Sequence, residues 1–332
     1  MNNFEKWTNI KYFTRAEKIA CILYILGVAN REQLGIVTGW SDRYIKDALN
    51  ELRNQDGIPQ QIKSIKEQLN ELEEEVKKDP ENSALQMKLR RVTRQHKNQM
   101  ASLDKKRDQW LVIIKGSPKE PNFYTLGRKG IDMVKEIRGE PHMKNNEIPK
   151  RQIHHFNGVN EILMRVRRSG VVEKDWMSGR ELSQYLAYYW NRKKHLVKKD
   201  ELWNKDKAYL PAKPDAMIVL DQPYLLEFDA STESFIRLKQ RMTGYFELYF
   251  FFKKYNMMKE PLPKYVLWVC EDEKRRSTIE RAGKEALEEF CEFTGVPKKE
   301  IDKWNFPYMI SFVGGEDTKF LNGEIKDVSS FV

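Results

Sequence analysis

Cysteine is scarce in this chain. Its three cysteines, Cys21, Cys270 and Cys291, stand far apart. They form no CxxC pair and no even-numbered set, which argues against a disulfide framework. The expectation is reduced, mostly buried thiols. Long apolar runs are also missing. The longest, Ile19 to Ala29, is too short to span a bilayer. The opening stretch, MNNFEKWTNIKYF, lacks the basic-then-apolar order of a signal peptide. The expected location is therefore the cytoplasm, with no membrane partner. No GxxxxGK[ST] loop occurs, so no nucleotide cofactor is expected.

Charge is abundant, and it leans one way. The 332 residues hold 59 Lys and Arg against 49 Asp and Glu, a formal net charge of +10. An excess of that size favours a polyanionic partner, nucleic acid above all. Composition alone also fits a protein that is simply basic, so the weight falls on pattern. Apolar residues make up 40% of the chain, enough for a real core, and the length suggests two domains.

Three helices are expected at the start. Thr14 and Glu17 have capping-box spacing, and Ile19, Ile22, Leu23 and Leu26 follow a helical period. Asn30 and Gln33 repeat the pattern before Leu34 and Val37. Ser41 can cap a third helix through Ile45, Ala48, Leu49 and Leu52. Short helix, turn, helix is a helix-turn-helix outline. Its last helix would offer Arg43 and Lys46 to DNA, although a solvated helical face has the same look. Trp110–Ile114 and Phe123–Leu126 read as two strands around a turn, the wing of a winged helix. Lys115 and Lys119 lie at or near its tip, within reach of phosphates.

Between the third helix and the wing runs a heptad seam: Ile62, Ile65, Leu69, Leu72 and Val76. The turn Asp79-Pro80-Glu81-Asn82 breaks it, and a second helix continues through Leu85, Leu89, Val92, His96 and Leu103. An antiparallel helical hairpin over about 58–108 is predicted. Its second arm carries Arg90, Arg91 and Arg94 among other cations. Three readings stay open for it: pairing with the first arm's glutamates, tracking DNA, or forming a homodimer. Residues 139–150 look like a linker. They divide a DNA-binding domain at 1–138 from a second domain at 151–332.

The second domain reads as helices alternating with strands, a mixed sheet flanked by helices. Asp215 opens one predicted strand, while Glu227 and Asp229 close its antiparallel neighbour on one face. Buried carboxylates are costly unless paired or bound to metal. Converging acids suit a hard cation, Mg²⁺ or Mn²⁺, able to activate water for phosphodiester hydrolysis. Glu161 on the preceding helix is a further candidate ligand. The plainer alternative is pairing with lysine or arginine. His154 and His155 enter a helix and are candidate acid/base groups, with one packed and one exposed histidine as the alternative. Tyr185, Tyr188 and Tyr189 in YLAYYWNRKKH include a candidate nucleophile, an aromatic-basic DNA-facing surface, or ordinary core.

This half resembles the PD-(D/E)XK nuclease-like fold. Pro214-Asp215 matches the first motif and Glu227-Phe228-Asp229 the second, with Asp229 where the fold has lysine. The resemblance implies catalytic roles for Asp215, Glu227 and Asp229, with Lys239 on the next helix reaching back for the missing lysine. The whole chain resembles the replication-relaxation family of plasmid and phage proteins. FYTLGRKG (Phe123–Gly130), HHFNGVNEIL (His154–Leu163) and the stretch from Lys213 to Phe246 carry that likeness. It implies DNA binding in replication and relaxation of plasmid DNA. Two activities stay open: a metal-dependent endonuclease or nickase, and a non-enzymatic initiator or regulator with an inactive nuclease-like domain.

Overall fold

The computed structural model describes residues 3–116, 120–140, 148–203, 210–220, 222–230, 233–259, 262–263, 265–270, 272–297 and 308–312. The architecture is mixed α/β, with two sheets. The chain divides into two compact units, one of residues 7–150 and one of residues 1–6 with 151–332. A first helix, α1 (Asn3–Thr8), spans the point of division.

In the unit of residues 7–150, local signals set the helix ends. Full capping boxes start α2 (Arg15–Leu26) at Thr14 and α3 (Arg31–Thr38) at Asn30. Each satisfies backbone donors that the first turn leaves free. Ser41 caps α4 (Asp42–Arg53), which buries Ile45, Ala48, Leu49 and Leu52 on one face. That face packs against α2. Strands β2 (Leu111–Ile114) and β3 (Phe123–Leu126) pair antiparallel, with Leu111 opposite Leu126. A two-residue strand, β1 (Val28–Ala29), pairs with the other edge of β3. Thr125 donates its hydroxyl to the Gly27 carbonyl at 2.9 Å and secures that edge. Nothing local in the sequence announces β1, because its partner lies almost a hundred residues away.

The predicted hairpin forms as α5 (Ile58–Lys78) and α6 (Ser83–Asp108), packed on each other. Asn82 caps α6, accepting from Leu85 N at 3.1 Å. Leu72, His96 and Leu103 are buried, and the other seam residues are half-buried. At the hairpin's base, Asp56 accepts from Trp110 Nε1 at 3.1 Å and Lys129 Nζ at 2.6 Å. Lys129 belongs to α7 (Arg128–Arg138), so one carboxylate ties three segments together. Residues 141–147 of the expected linker, and Lys119 at the wing tip, lie outside the described residues.

The other unit contains α8 (Ile153–Arg168), β4 (Asp175–Ser178), α9 (Gly179–Lys193), β5 (Ala216–Val219), β6 (Pro223–Asp229), α10 (Phe235–Lys254), β7 (Tyr265–Cys270), α11 (Glu273–Thr294) and β8 (Tyr308–Phe312). Its sheet runs β4-β5-β6-β7-β8. The first two pairings are antiparallel and the last two parallel. Beyond its first residue β6 is buried on both faces, as a central strand with parallel pairing should be. Leu225 joins a core with Met242, Phe246, Trp268 and Phe290 from α10, β7 and α11. Phe228 points the other way, onto α8. Helix α10 is buried without a break from Met242 to Phe252, so its apolar residues cover almost every face. Helix α8 starts at Ile153, four residues before the expected Asn157, and takes both histidines into its first turn. Strand β4 and helix α9 are additions to the sequence reading. No helix of the described residues is long and apolar enough to cross a membrane.

Candidate functional site

Two close approaches build the acidic site. A Cβ at Gly158 on α8 would lie 2.2 Å from the Phe228 ring, so only glycine lets α8 sit this near β6. A Cβ at Gly179 would lie 2.5 Å from the Asp215 carbonyl oxygen, so the start of α9 rests on the Pro214-Asp215 backbone. The amide of Asp215 donates to the Leu226 carbonyl at 2.9 Å, extending the β5–β6 ladder by one residue. Asp215 and Glu227 thereby meet at one end of the hairpin, and the antiparallel register brings them there.

Both oxygens of each carboxylate are held by the protein. Asp215 Oδ1 lies 2.9 Å from His155 Nε2, and its Oδ2 accepts from the Phe228 amide at 2.9 Å. Glu227 is 1% exposed. It accepts from the Tyr245 hydroxyl and from Arg241, both on α10. Arg241 also lies 3.8 Å from Asp215 and donates to Glu233 at 2.9 Å. Its guanidinium carbon sits 5.0 Å from the centre of the Trp268 ring, a cation–π contact. Asp229, also 1% exposed, accepts a two-pronged pair from Arg275 on α11, with Nη2 to Oδ1 at 3.0 Å. Buried acids met by planar, permanently charged guanidinium groups are the arrangement that offsets desolvation best.

The site perturbs its own titrating groups. Burial opposes charge on His155, but the hydrogen bond and negative charge of Asp215 outweigh it and lift His155 above its ordinary value. Burial raises the Glu233 carboxyl, and the nearby charges of Asp229 and Asp215 add to the rise. His154 is exposed and faces the Phe228 ring edge-on, with ring centroids 6.3 Å apart.

Other sequence candidates lie elsewhere. Lys239 is turned to α11, where it meets Glu289 at 2.7 Å and Glu285 at 3.7 Å. The cation that does reach the carboxylates from α10 is Arg241. Glu161 pairs with Arg168 at 3.1 Å. Arg241, Arg275 and Tyr245 were not among the residues singled out in the sequence. The available signal was weak, because Arg241 stands beside Lys239 and Gln240, just ahead of the run buried from Met242 to Phe252.

The donor set bears on a metal directly. A divalent ion of the Mg²⁺ type needs open oxygen ligands. Here every oxygen of Asp215, Glu227 and Asp229 already accepts a hydrogen bond, and two guanidinium groups balance the charge. Among the described residues, no group of three or more His, Cys, Asp or Glu side chains could hold a metal ion. As placed, these residues do not fit Mg²⁺ or Mn²⁺.

The basic candidates of the other unit are arranged differently. Arg43 and Lys46 are exposed on α4, and Lys115 is exposed after β2. Arg90, Arg91 and Arg94 are exposed on α6. The ion pairs of the first arm, Lys63–Glu67 and Lys77–Glu74, stay within α5. Among the described residues, none joins α5's glutamates to α6's arginines.

A family model described as replication-relaxation matches residues 67–259, more than half of the chain. The match covers Asp215, Glu227, Asp229 and Arg241, and it begins beyond α4. The searches of curated proteins and of solved structures returned no match.

Proposed function

We propose that this chain, which belongs to the replication-relaxation family, binds duplex DNA of a plasmid or phage. In this reading residues 1–138 are a winged helix-turn-helix domain with an inserted hairpin, and 151–332 are a nuclease-like domain. The observation that carries it is the charge distribution on α4. Asp42 pairs with Arg31 at 3.2 Å, and Arg15 takes Asp47 at 3.8 Å and Glu51 at 3.1 Å. Arg43 and Lys46 stay exposed, with no ion pair among the described residues. The helix therefore offers cations while its own anions are neutralised by neighbours. Helix α4 would enter the major groove, and the β2–β3 hairpin with Lys115 and Lys119 would touch the backbone. Arg90, Arg91 and Arg94 would extend the phosphate contacts along α6, which is also the surface a homodimer would use. The domain at 151–332 acts here without catalysis, its carboxylates locked in arginine pairs.

A second reading, metal-dependent cleavage, rests on one observation. Asp215 and Glu227 converge on a single cation, Arg241. A divalent ion would have to take that guanidinium's place. The test joins the two readings. Duplex affinity is measured in EDTA across a salt series, beside nicking of supercoiled plasmid in Mg²⁺ and in Mn²⁺. The proposal expects tight, salt-sensitive binding in EDTA and no nicking. Nicking by the wild type that disappears in both Asp215→Ala and Glu227→Ala, with binding intact, would establish the second reading. Absence of duplex binding would end the first.

A further inference from the structure

Helix α9 has two faces of different character. Its start is a capping box between Ser178 and Glu181. Leu182, Leu186 and Trp190, four residues apart, are buried against the core. On the other side, spacings of three and four place Tyr185, Tyr188 and Arg192 in one stripe. Tyr185 is 40% exposed and Tyr188 is 56% exposed. Half-buried Tyr189 meets both rings edge-on, with centroids 5.2 and 5.1 Å away, and so braces them from below. Arg192 donates to the Tyr188 hydroxyl at 2.7 Å and lies 5.4 Å from that ring's centre. These phenols are therefore held in place with part of each ring exposed.

Along the chain the stripe is followed by a cationic run, which ends at Asp200 and Glu201. From Tyr185 to Lys199 the chain carries Arg192, Lys193, Lys194, Lys198 and Lys199 and no acidic residue. Lys193 is engaged with the carbonyls of Tyr255 and Asn256. Arg192, Lys198 and Lys199 are exposed. Partly exposed aromatic rings interleaved with cations match single-stranded nucleic acid, whose unstacked bases present π-faces and whose phosphates follow the charges. Duplex bases keep their faces inside the stack and have nothing to offer such rings. We infer that the α9 stripe of Tyr185, Tyr188 and Arg192 is a docking surface for single-stranded DNA. The choice of DNA rests on the proposed function.

The stripe is tied to the acidic site through α9 itself. Gly179 at the head of the helix lies on the Asp215 backbone. At 1.5 Å per residue, Tyr185 stands about 9 Å and Arg192 about 20 Å farther along. A strand lying on the stripe would have one end near the His155–Asp215 pair.

The test is fluorescence anisotropy with labelled oligo(dT) and, separately, a labelled duplex. The proteins are wild type, Tyr185→Ala/Tyr188→Ala, Tyr185→Phe/Tyr188→Phe and Arg192→Ala. Thermal melting checks that each is folded. The alanine pair is expected to weaken oligo(dT) binding about tenfold or more, while duplex affinity stays unchanged. The phenylalanine pair keeps its rings and should bind oligo(dT) as wild type does. Arg192→Ala should reduce the salt slope for oligo(dT) by about 0.7, one phosphate's share. Wild-type oligo(dT) affinity in the alanine pair would overturn the inference, as would an equal loss in the phenylalanine pair. Tighter wild-type binding to oligo(U) than to oligo(dT) would overturn the assignment to DNA. A wild type that binds duplex but not oligo(dT) sinks this inference alone. One that binds neither sinks the proposed function with it.

Discussion

The exposed arginines of α4 and α6 contrast with the arginines around the buried acids of the sheet. On α4 and α6, Arg43, Arg90, Arg91 and Arg94 stand exposed, with no ion pair among the described residues. In the other unit, Arg241 and Arg275 lie against carboxylates that are 1% exposed, and Arg167 holds buried Glu173 at 2.9 and 2.5 Å. Burial makes the difference. An acid that stays charged out of water needs a cation close by, and once paired, that cation has little left for another partner. A cation left in water keeps its charge available to phosphate. In the proposed reading the exposed cations of α4 and α6 meet the duplex, while Arg241 and Arg275 hold sheet and helices together.

The largest expected effect follows from breaking a buried pair. Arg275→Ala would take the two-pronged guanidinium partner from buried Asp229, and urea unfolding should show a loss of about 3–5 kcal/mol. Arg241→Ala should cost less, because the Tyr245 hydroxyl still reaches Glu227. Arg94→Ala, on the exposed arm, should stay within about 0.5 kcal/mol of wild type. Similar losses at Arg275 and Arg94 would erase the contrast.

A smaller effect comes from an acid that meets no cation among the described residues. Glu247 on α10 is 3% exposed, and it accepts from the Trp203 amide at 2.5 Å. Burial pushes its carboxyl up to about 7, and the amide's hydrogen bond only partly opposes that. The folded state then holds a proton that the unfolded state has released between the usual carboxylate range and about pH 7. Stability should fall as pH rises through that window, by up to about 1.4 kcal/mol per pH unit from this group. Glu247→Gln should remove that share of the slope in urea titrations from pH 5 to 8. An unchanged slope would show that Glu247 is ionised at little cost.

Much of the unit of residues 7–150 was legible because its signals are local. Thr14 with Glu17, Asn30 with Gln33, and Ser41 mark helix starts within four residues, and the heptad seam shows in spacing alone. The convergence of Asp215 with Glu227 was also legible, because a hairpin's register fixes which ends meet. What answers those acids was not. Arg241 is 14 residues from Glu227 and Arg275 is 46 from Asp229. The first two turns of α10 carry Arg237, Lys239, Gln240 and Arg241, so periodicity could not tell which of them faces the sheet. Lys239, the cation the sequence offered for the site, lies across from Glu285 and Glu289. Helix α9 did have a signal, the Ser178–Glu181 capping box followed by Leu182, Leu186 and Trp190, but its cluster of tyrosines drew attention to chemistry before structure.

The smallest expected effect is spectroscopic. His155 should titrate above its ordinary value in an NMR series, and Asp215→Asn should lower it, since the carboxylate's hydrogen bond and charge provide the rise. A raised His155 stabilises the folded state at low pH, and that stability is lost as pH climbs through the folded value. A His155 titration indifferent to Asp215→Asn would show that the pair does not form in solution.

One measurement tests the central claim most directly: duplex affinity across a salt series for Arg43→Ala/Lys46→Ala beside Arg275→Lys. The α4 pair should lose about tenfold in affinity, with a salt slope shallower by about 0.9 for each phosphate contact removed. Arg275→Lys keeps a charge beside Asp229 and should bind duplex as wild type does. An unchanged α4 variant together with a weakened Arg275→Lys would contradict the account, because the cations assigned to the fold would then be the ones that hold DNA.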